Sequence, residues 1–315
     1  MLMWNSAPDN RLTTSFCNAV HTALDILALK YPHGVVITTS GISKFYSNGL
    51  DLEHANANPN FTKDSLFALW KKLLTILDCF EAKQLPKTMR TDDGVLIAIH
   101  LFGSFYLPPR KSLYRAGDPI VAVVLVLASF YLVNGVTLSH QATPSLLENY
   151  YPMPTIALIN GHGFAGALMT AMMHDYRIMN PHRGYICLNE VELGVPLKAP
   201  MSSIFRQKTS PQTYRTLVLE GKRFKALEAL EAGIIDGVGG LDEVVAFVDE
   251  LKLVEKTDKG VYGLLKREMW RETVGLLDNG DEEPEVKEKV RKQDEELKRK
   301  AEQRVKDWET AKAKL

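Results

Sequence analysis

The chain has 315 residues, 45% of them apolar, enough for one large domain or two with a real core. Its 38 Lys and Arg balance its 38 Asp and Glu, so no net positive field draws a polyanion and nucleic-acid binding loses its usual driving force. Cys17, Cys79 and Cys187 are scattered, odd in number and without a C-x-x-C pair, which argues against a disulfide framework and a zinc site, and small molecules become the expected ligands.

The opening MLMWNSAPDNRL lacks the basic start and apolar run of a secretory leader. Phe16, Val20, Leu24 and Leu27 recur at helical spacing and predict a helix over 14–31, and GVVITTSG (34–41) reads as a buried strand. ISKFYSNGLDL (42–52) reads as a loop, and 61–77 as a second amphipathic helix. The stretch 78–150 fits neither its predecessor nor its successor; its apolar run from Ile120 to Val133 would reach only about 21 Å as a helix, so no membrane span is expected.

Beyond it, TIALI (155–159) predicts a strand, NGHGFAG (160–166) a glycine turn and ALMTAMMHD (167–175) a helix. Successive helices are expected over 211–219, 226–232 and 241–251, punctuated by Gly221, Gly233 and the Gly239-Gly240 pair. The tail from Asp281 mixes both charge signs around a narrow stripe of Val290, Leu297, Ala301, Val305 and Trp308, the pattern of a solvated helix. The final Ala313-Lys314-Leu315 differs by one residue from the S-K-L address read by the peroxisomal import receptor.

Gly161, Gly163 and Gly166 fit G-x-G-x-x-G between a strand and a helix, and Glu190 stands where a ribose-binding acid is expected, so a dinucleotide site is one reading. A tight turn without chemistry is another. A second corner with the same grammar, Ser47-Asn48-Gly49-Leu50-Asp51, offers a third. Two such corners can aim backbone N–H groups at one atom, an oxyanion hole strengthened by a helix N-terminus, with Glu190 as the candidate base. Glu192, two residues on, shares its face if the run is extended and competes for that role. His162 and His174 lack a third ligand at metal spacing and read as a turn residue and a helix-face residue; no metal is expected.

Together SAPDNRLT (6–13), GVVITTSGISKFYSNGLDL (34–52), PTIALINGHGFAGALMTAMMHDYRI (154–178), YICLNEVELGVPL (185–197) and RFKALEALEAGIIDGV (223–238) resemble the crotonase, or enoyl-CoA hydratase/isomerase, superfamily. The resemblance implies an α/β fold, a crotonase-like spiral of ββα units with a C-terminal helical region and homotrimeric assembly. Segments 1–77 and 151–240 would form the core, 78–150 an atypical insertion such as a translated intron, and 241–315 the helical region with its charged tail; the first strand would be short. No cofactor is implied, because CoA travels with the acyl-CoA substrate. By position the oxyanion-hole amides would be those of Leu50 and Gly166, with Ser47, Asn48 and Gly49 along the CoA moiety and Asp51 capping or bracing the turn.

Hydratases of the superfamily activate water between two glutamates, one of them three residues after the second oxyanion-hole glycine, where this chain has Met169. The dienoyl isomerases use an acid about eight residues past the first glutamate, where it has Lys198. The implied activity is therefore isomerisation of 3-enoyl-CoA to 2-enoyl-CoA by Glu190 alone, in the peroxisome. The alternatives are enoyl-CoA hydration, another CoA-thioester reaction, or an inactive chain disrupted by 78–150.

Overall fold

A computed structural model describes residues 1–30, 34–75, 100–101, 153–258, 260–279 and 284–312. In chain order the first half holds β1 (Leu2–Trp4), α1 (Thr14–Lys30), β2 (Val36–Ser40), β3 (Phe45–Ser47), α2 (Leu52–Ala57), a π-helical segment Thr62–Phe67 that runs into α3 (Ala68–Thr75), and β4 (His100–Leu101). There follow β5 (Thr155–Ile159), β6 (His162–Phe164), α4 (Gly166–Met172), β7 (Tyr176–Met179), β8 (Ile186–Cys187), α5 (Glu190–Leu193), α6 (Ala199–Lys208), α7 (Pro211–Leu219), α8 (Ala226–Glu231), β9 (Gly237–Val238), α9 (Leu241–Glu250), α10 (Tyr262–Met269), α11 (Arg271–Asn279) and α12 (Pro284–Lys312).

Six strands form a parallel sheet in the order β4-β1-β2-β5-β7-β9, and β3-β6-β8 form a second parallel sheet. All five residues of β2 and of β5 are buried, the mark of central parallel strands covered on both faces. Side chains alternate between those faces: Val36, Ala157 and Ile159 join a large core with Trp4, Leu24, Trp70 and Phe205, while Ile37, Ile156 and Leu158 face Val244 and Val248 of α9. Phe16, Val20, Leu24 and Leu27 of α1 are buried as their spacing requires, each contributing about 1.5–3 kcal/mol.

The helices expected over 211–219, 226–232 and 241–251 are present within a residue at each end. The 42–52 loop and the NGHGFAG turn each contain a three-residue strand, β3 and β6, which pair with each other. Three residues are too few to display a periodicity, so the pairing is set by tertiary contact. Of 78–150 only β4 is described, and it pairs with β1; the readings of that stretch as a foreign insertion otherwise lie outside the described residues.

Residues Met1–Asp278 form one compact unit and Asn279–Leu315 another. In the second, α12 carries Arg291–Glu295, Arg299–Glu296 and Lys300–Glu296 ion pairs one turn apart, with Leu297 and Val305 exposed. Residues 313–315, the expected import address, lie outside the described residues. No helix among the described residues is long and apolar enough to cross a membrane.

A buried ion pair ties α10 to the main sheet. Lys266 Nζ lies 2.8 Å from Asp175 Oδ2, with side-chain exposures of 3% and 7%, and the same oxygen accepts from the Thr155 amide at 2.9 Å. Lys266→Met leaves Asp175 buried without its counter-charge, and should cost about 3–5 kcal/mol in urea unfolding; a loss within error would remove this pair from the stability of the fold.

Candidate active site

The first turn is built by β3 and the residues after it. Leu12 N–H donates to Gly49 O at 2.9 Å and Asp51 N–H to Leu12 O at 3.3 Å, making Leu12 and Leu50 a parallel bridge. In that pattern the bridged residue's own N–H points to the opposite side, so the Leu50 amide is turned away from Leu12. The second turn is built by β6 and α4. Gly166 opens α4, and the first amide of a helix has no intrahelical acceptor. Neither the Leu50 nor the Gly166 amide donates to an acceptor among the described residues.

The two turns touch. A Cβ on Gly166 would lie 3.4 Å from the Leu50 nitrogen, and a Cβ on Gly49 would lie 3.4 Å from the Gly166 nitrogen and 2.7 Å from Phe164 O. Ala165, between the strand and the helix, holds φ 50° and ψ −118°, a strained conformation for a residue with a Cβ and of the kind that clusters at functional sites. Gly161 serves packing instead, since a Cβ there would meet the Lys44 carbonyl at 2.6 Å and its absence allows backbone to lie on backbone. With Gly161 closed off by Lys44, the dinucleotide reading of the three glycines fails.

Glu190 follows β8 of the small sheet. Ala165 N–H donates to Cys187 O at 2.9 Å, and Glu190 follows three residues later, a reach of at most about 10 Å. Its residue exposure is 8%, and its Oε2 is buried with no hydrogen-bond partner. Burial holds its pKa above the usual glutamate value, offset in part by a bond from its own backbone N–H.

The stretch around Glu190 is helical, not extended. Glu192 therefore does not share its face; its side chain is 50% exposed and lies 3.5 Å from Arg223, which withdraws it as a competing base. Met169 is buried on the first turn of α4, and Lys198 is the residue before α6.

Ser47 and Asn48 are turned toward the protein. Ser47 Oγ donates to Asn10 O at 2.6 Å and accepts from Gly49 N–H at 3.2 Å, and Asn48 Nδ2 donates to Asp9 Oδ2 at 2.7 Å. Their side chains shape the loop, so any contact with CoA falls to its backbone. Asp51 caps α2, accepting from the His54 amide at 2.9 Å, the bracing role expected of it. His162 lies in β6, its Nδ1 accepting from the Tyr185 amide, and no group of three or more potential ligands able to hold a metal occurs among the described residues. Sequence reasoning missed the buried polar residues Thr38 and Tyr46 and read His174 only as a helix-face residue, because single polar residues in apolar runs carry no spacing signal.

A family model for enoyl-CoA hydratase/isomerase matches residues 140–304, over half of the chain. The chain belongs to the enoyl-CoA hydratase/isomerase family. It is 34% identical over 133 residues to enoyl-CoA delta isomerase 3 of Arabidopsis thaliana, covering 40% of this chain and 56% of that one. Against the peroxisomal enoyl-CoA delta isomerase 2 of the same plant the identity is 33% over 132 residues, covering 40% and 55%. The chain thus spans a little over half the length of the curated relatives it matches. The human mitochondrial delta3-delta2-enoyl-CoA isomerase superposes with a TM-score of 0.55 at 18% identity, covering 94% of this chain and 92% of that one. An enoyl-CoA hydratase from Mycobacterium marinum gives 0.55 at 18%, covering 87% and 88%. At such identity these two structures speak for the fold, the crotonase α/β fold with C-terminal helices.

The raised pKa of Glu190 has two measurable consequences. A general base must be ionised, so if Glu190 takes a proton in catalysis the acidic limb of kcat/KM falls at a higher pH than an exposed glutamate would give. For stability the sign is opposite to a salt-bridged acid: the native state holds this proton more tightly, so stability is fully present below the unfolded pKa and is lost as pH rises through the folded one. Urea unfolding from pH 4 to pH 8 should show a loss that Glu190→Gln removes; identical profiles for the two proteins would contradict the burial argument.

Proposed function

We propose that the chain is an isomerase that moves the double bond of a 3-enoyl-CoA into conjugation, giving 2-enoyl-CoA, in the β-oxidation of unsaturated fatty acids. What supports this reading is the Glu190 carboxylate, buried with an unpartnered oxygen three residues past Cys187, whose carbonyl accepts from the Ala165 amide between β6 and α4. The thioester oxygen accepts from the N–H groups of Leu50 and Gly166, which stabilises the charge that develops when the α proton leaves. Glu190 takes that proton, the C–H pair forms a C1–C2 double bond and the carbonyl pair moves onto the thioester oxygen; as the carbonyl re-forms, the C1–C2 pair becomes the new double bond at C2–C3 and the old C3–C4 pair is released to bond a proton at C4. Return of the proton at C4 completes the exchange with no gain or loss of atoms.

Water addition is disfavoured by Met169, whose thioether accepts no proton where the superfamily's hydratases place their second glutamate. Assembly as a homotrimer and import into the peroxisome through Ala313-Lys314-Leu315 belong to the same proposal. The test is direct. The purified protein is offered trans-3-enoyl-CoA, and the absorbance of the conjugated thioester and the mass of the product are followed together. Conjugation at constant mass is expected; a product heavier by one water would make the chain a hydratase, and no product would leave it an inactive member of the fold.

A further inference from the structure

The two amide-bearing turns are joined inside the protein by a line of hydrogen bonds that runs in one direction. His174 Nδ1 lies 3.0 Å from Thr170 O, and a carbonyl can only accept, so Nδ1 carries the imidazole proton. Nε2 is then bare and accepts from Thr38 Oγ1 at 2.8 Å. With its own proton committed to His174, Thr38 accepts from Tyr46 Oη at 3.1 Å. Tyr46, Thr38 and His174 are fully buried, and burial lowers the His174 pKa to about 3, so the ring stays neutral and the direction of the line does not change at working pH.

Each end meets a turn. Tyr46 lies in β3, four residues before Leu50; its carbonyl accepts from Trp4 Nε1 at 2.8 Å and from Asn10 Nδ2 at 3.2 Å. At the other end Thr170 Oγ1 donates to Gly166 O at 2.8 Å and accepts from Trp70 Nε1 at 2.9 Å. The line therefore starts on the strand that presents Leu50 and ends on the first turn of the helix that presents Gly166, and crosses β2 of the main sheet between them.

We infer that Tyr46, Thr38 and His174 are positioning residues that set the spacing of the Leu50 and Gly166 amides, and so the strength of the oxyanion hole, without touching substrate. This rests on the isomerase reading. A donor pair acts on the transition state only when both N–H groups reach the same oxygen; the β3–β6 ladder ends at Ser47 and Gly163, so beyond it the spacing of the two turns depends on what lies behind them.

The experiment uses the full chain and two readouts. The first is kcat and KM for trans-3-enoyl-CoA. The second is acetoacetyl-CoA, which ionises to an absorbing enolate, so the pH at which the bound ligand is half ionised reports how well the site stabilises an oxyanion. Tyr46→Phe removes one hydroxyl and keeps the ring; Thr38→Val breaks the line in the middle, and Thr38→Ser restores the hydroxyl. We expect kcat to fall about 10-fold or more in Tyr46→Phe and Thr38→Val with KM little changed, and half-ionisation of bound acetoacetyl-CoA to move up by about one pH unit, the same 10-fold. Thr38→Ser should recover both. A purely structural role predicts lower thermal stability with kcat and enolate ionisation as in the parent protein, and that result would overturn the inference. Should Thr38→Val fail to fold, Tyr46→Phe decides alone. If the parent protein itself neither turns over 3-enoyl-CoA nor ionises acetoacetyl-CoA, the isomerase reading fails and the inference falls with it.

Discussion

Glu190→Gln should abolish isomerisation of 3-enoyl-CoA, lowering kcat by about 10²–10⁴ with a smaller change in KM. The amide is nearly isosteric with the carboxylate and cannot take up a proton. The carboxylate is buried, one of its oxygens has no partner, and its pKa is raised, so the substitution removes a base and at the same time relieves an ion held in poor solvation. The variant is thus expected to be inactive and, at neutral pH, more stable than its parent. That pairing is diagnostic, since damage to the fold would lower both. Turnover within a few-fold of the parent would remove Glu190 from the chemistry.

Gly49→Ala is expected to disrupt the site from the other side. Gly49 holds φ +83°, where a Cβ costs roughly 1–2 kcal/mol, and the added carbon would stand 2.7 Å from Phe164 O and 3.4 Å from the Gly166 nitrogen. Phe164 O is backbone of the opposing turn, so relief requires the turns that carry Leu50 and Gly166 to separate. Misplacing one oxyanion donor typically lowers kcat by about 10²–10³. Gly233→Ala separates strain from clash: φ is +68° there, but no atom lies within 4 Å of the added carbon. The expected result is a comparable conformational cost in both variants, a further loss of stability from the clash in Gly49→Ala, and a fall in kcat in Gly49→Ala alone. Equal kcat in the two would mean that the spacing of the turns does not govern the rate.

The long elements were legible from residue order. Phe16, Val20, Leu24 and Leu27 announce α1, and VITTS and TIALI announce two central strands, because burial of one stripe or of both faces imposes a period that survives in any context. The two glycine corners and Glu190 were legible as candidates through their residue types and their likeness to the family. Tertiary structure decided the rest. β3 and β6 are too short to carry a period and exist because each completes the other's ladder. Glu190 and Glu192 part company because a helical turn, unlike a strand, sends residues two apart to different faces, leaving one buried and the other against Arg223. Ser47 looked like a ligand contact until its hydroxyl met Asn10, 37 residues away in sequence, and His174 looked like a helix-face residue until it met Thr38, 136 residues away. Spacing along a chain records what repeats; a buried polar group is defined by its partner, and that partner is chosen only when distant segments are brought together.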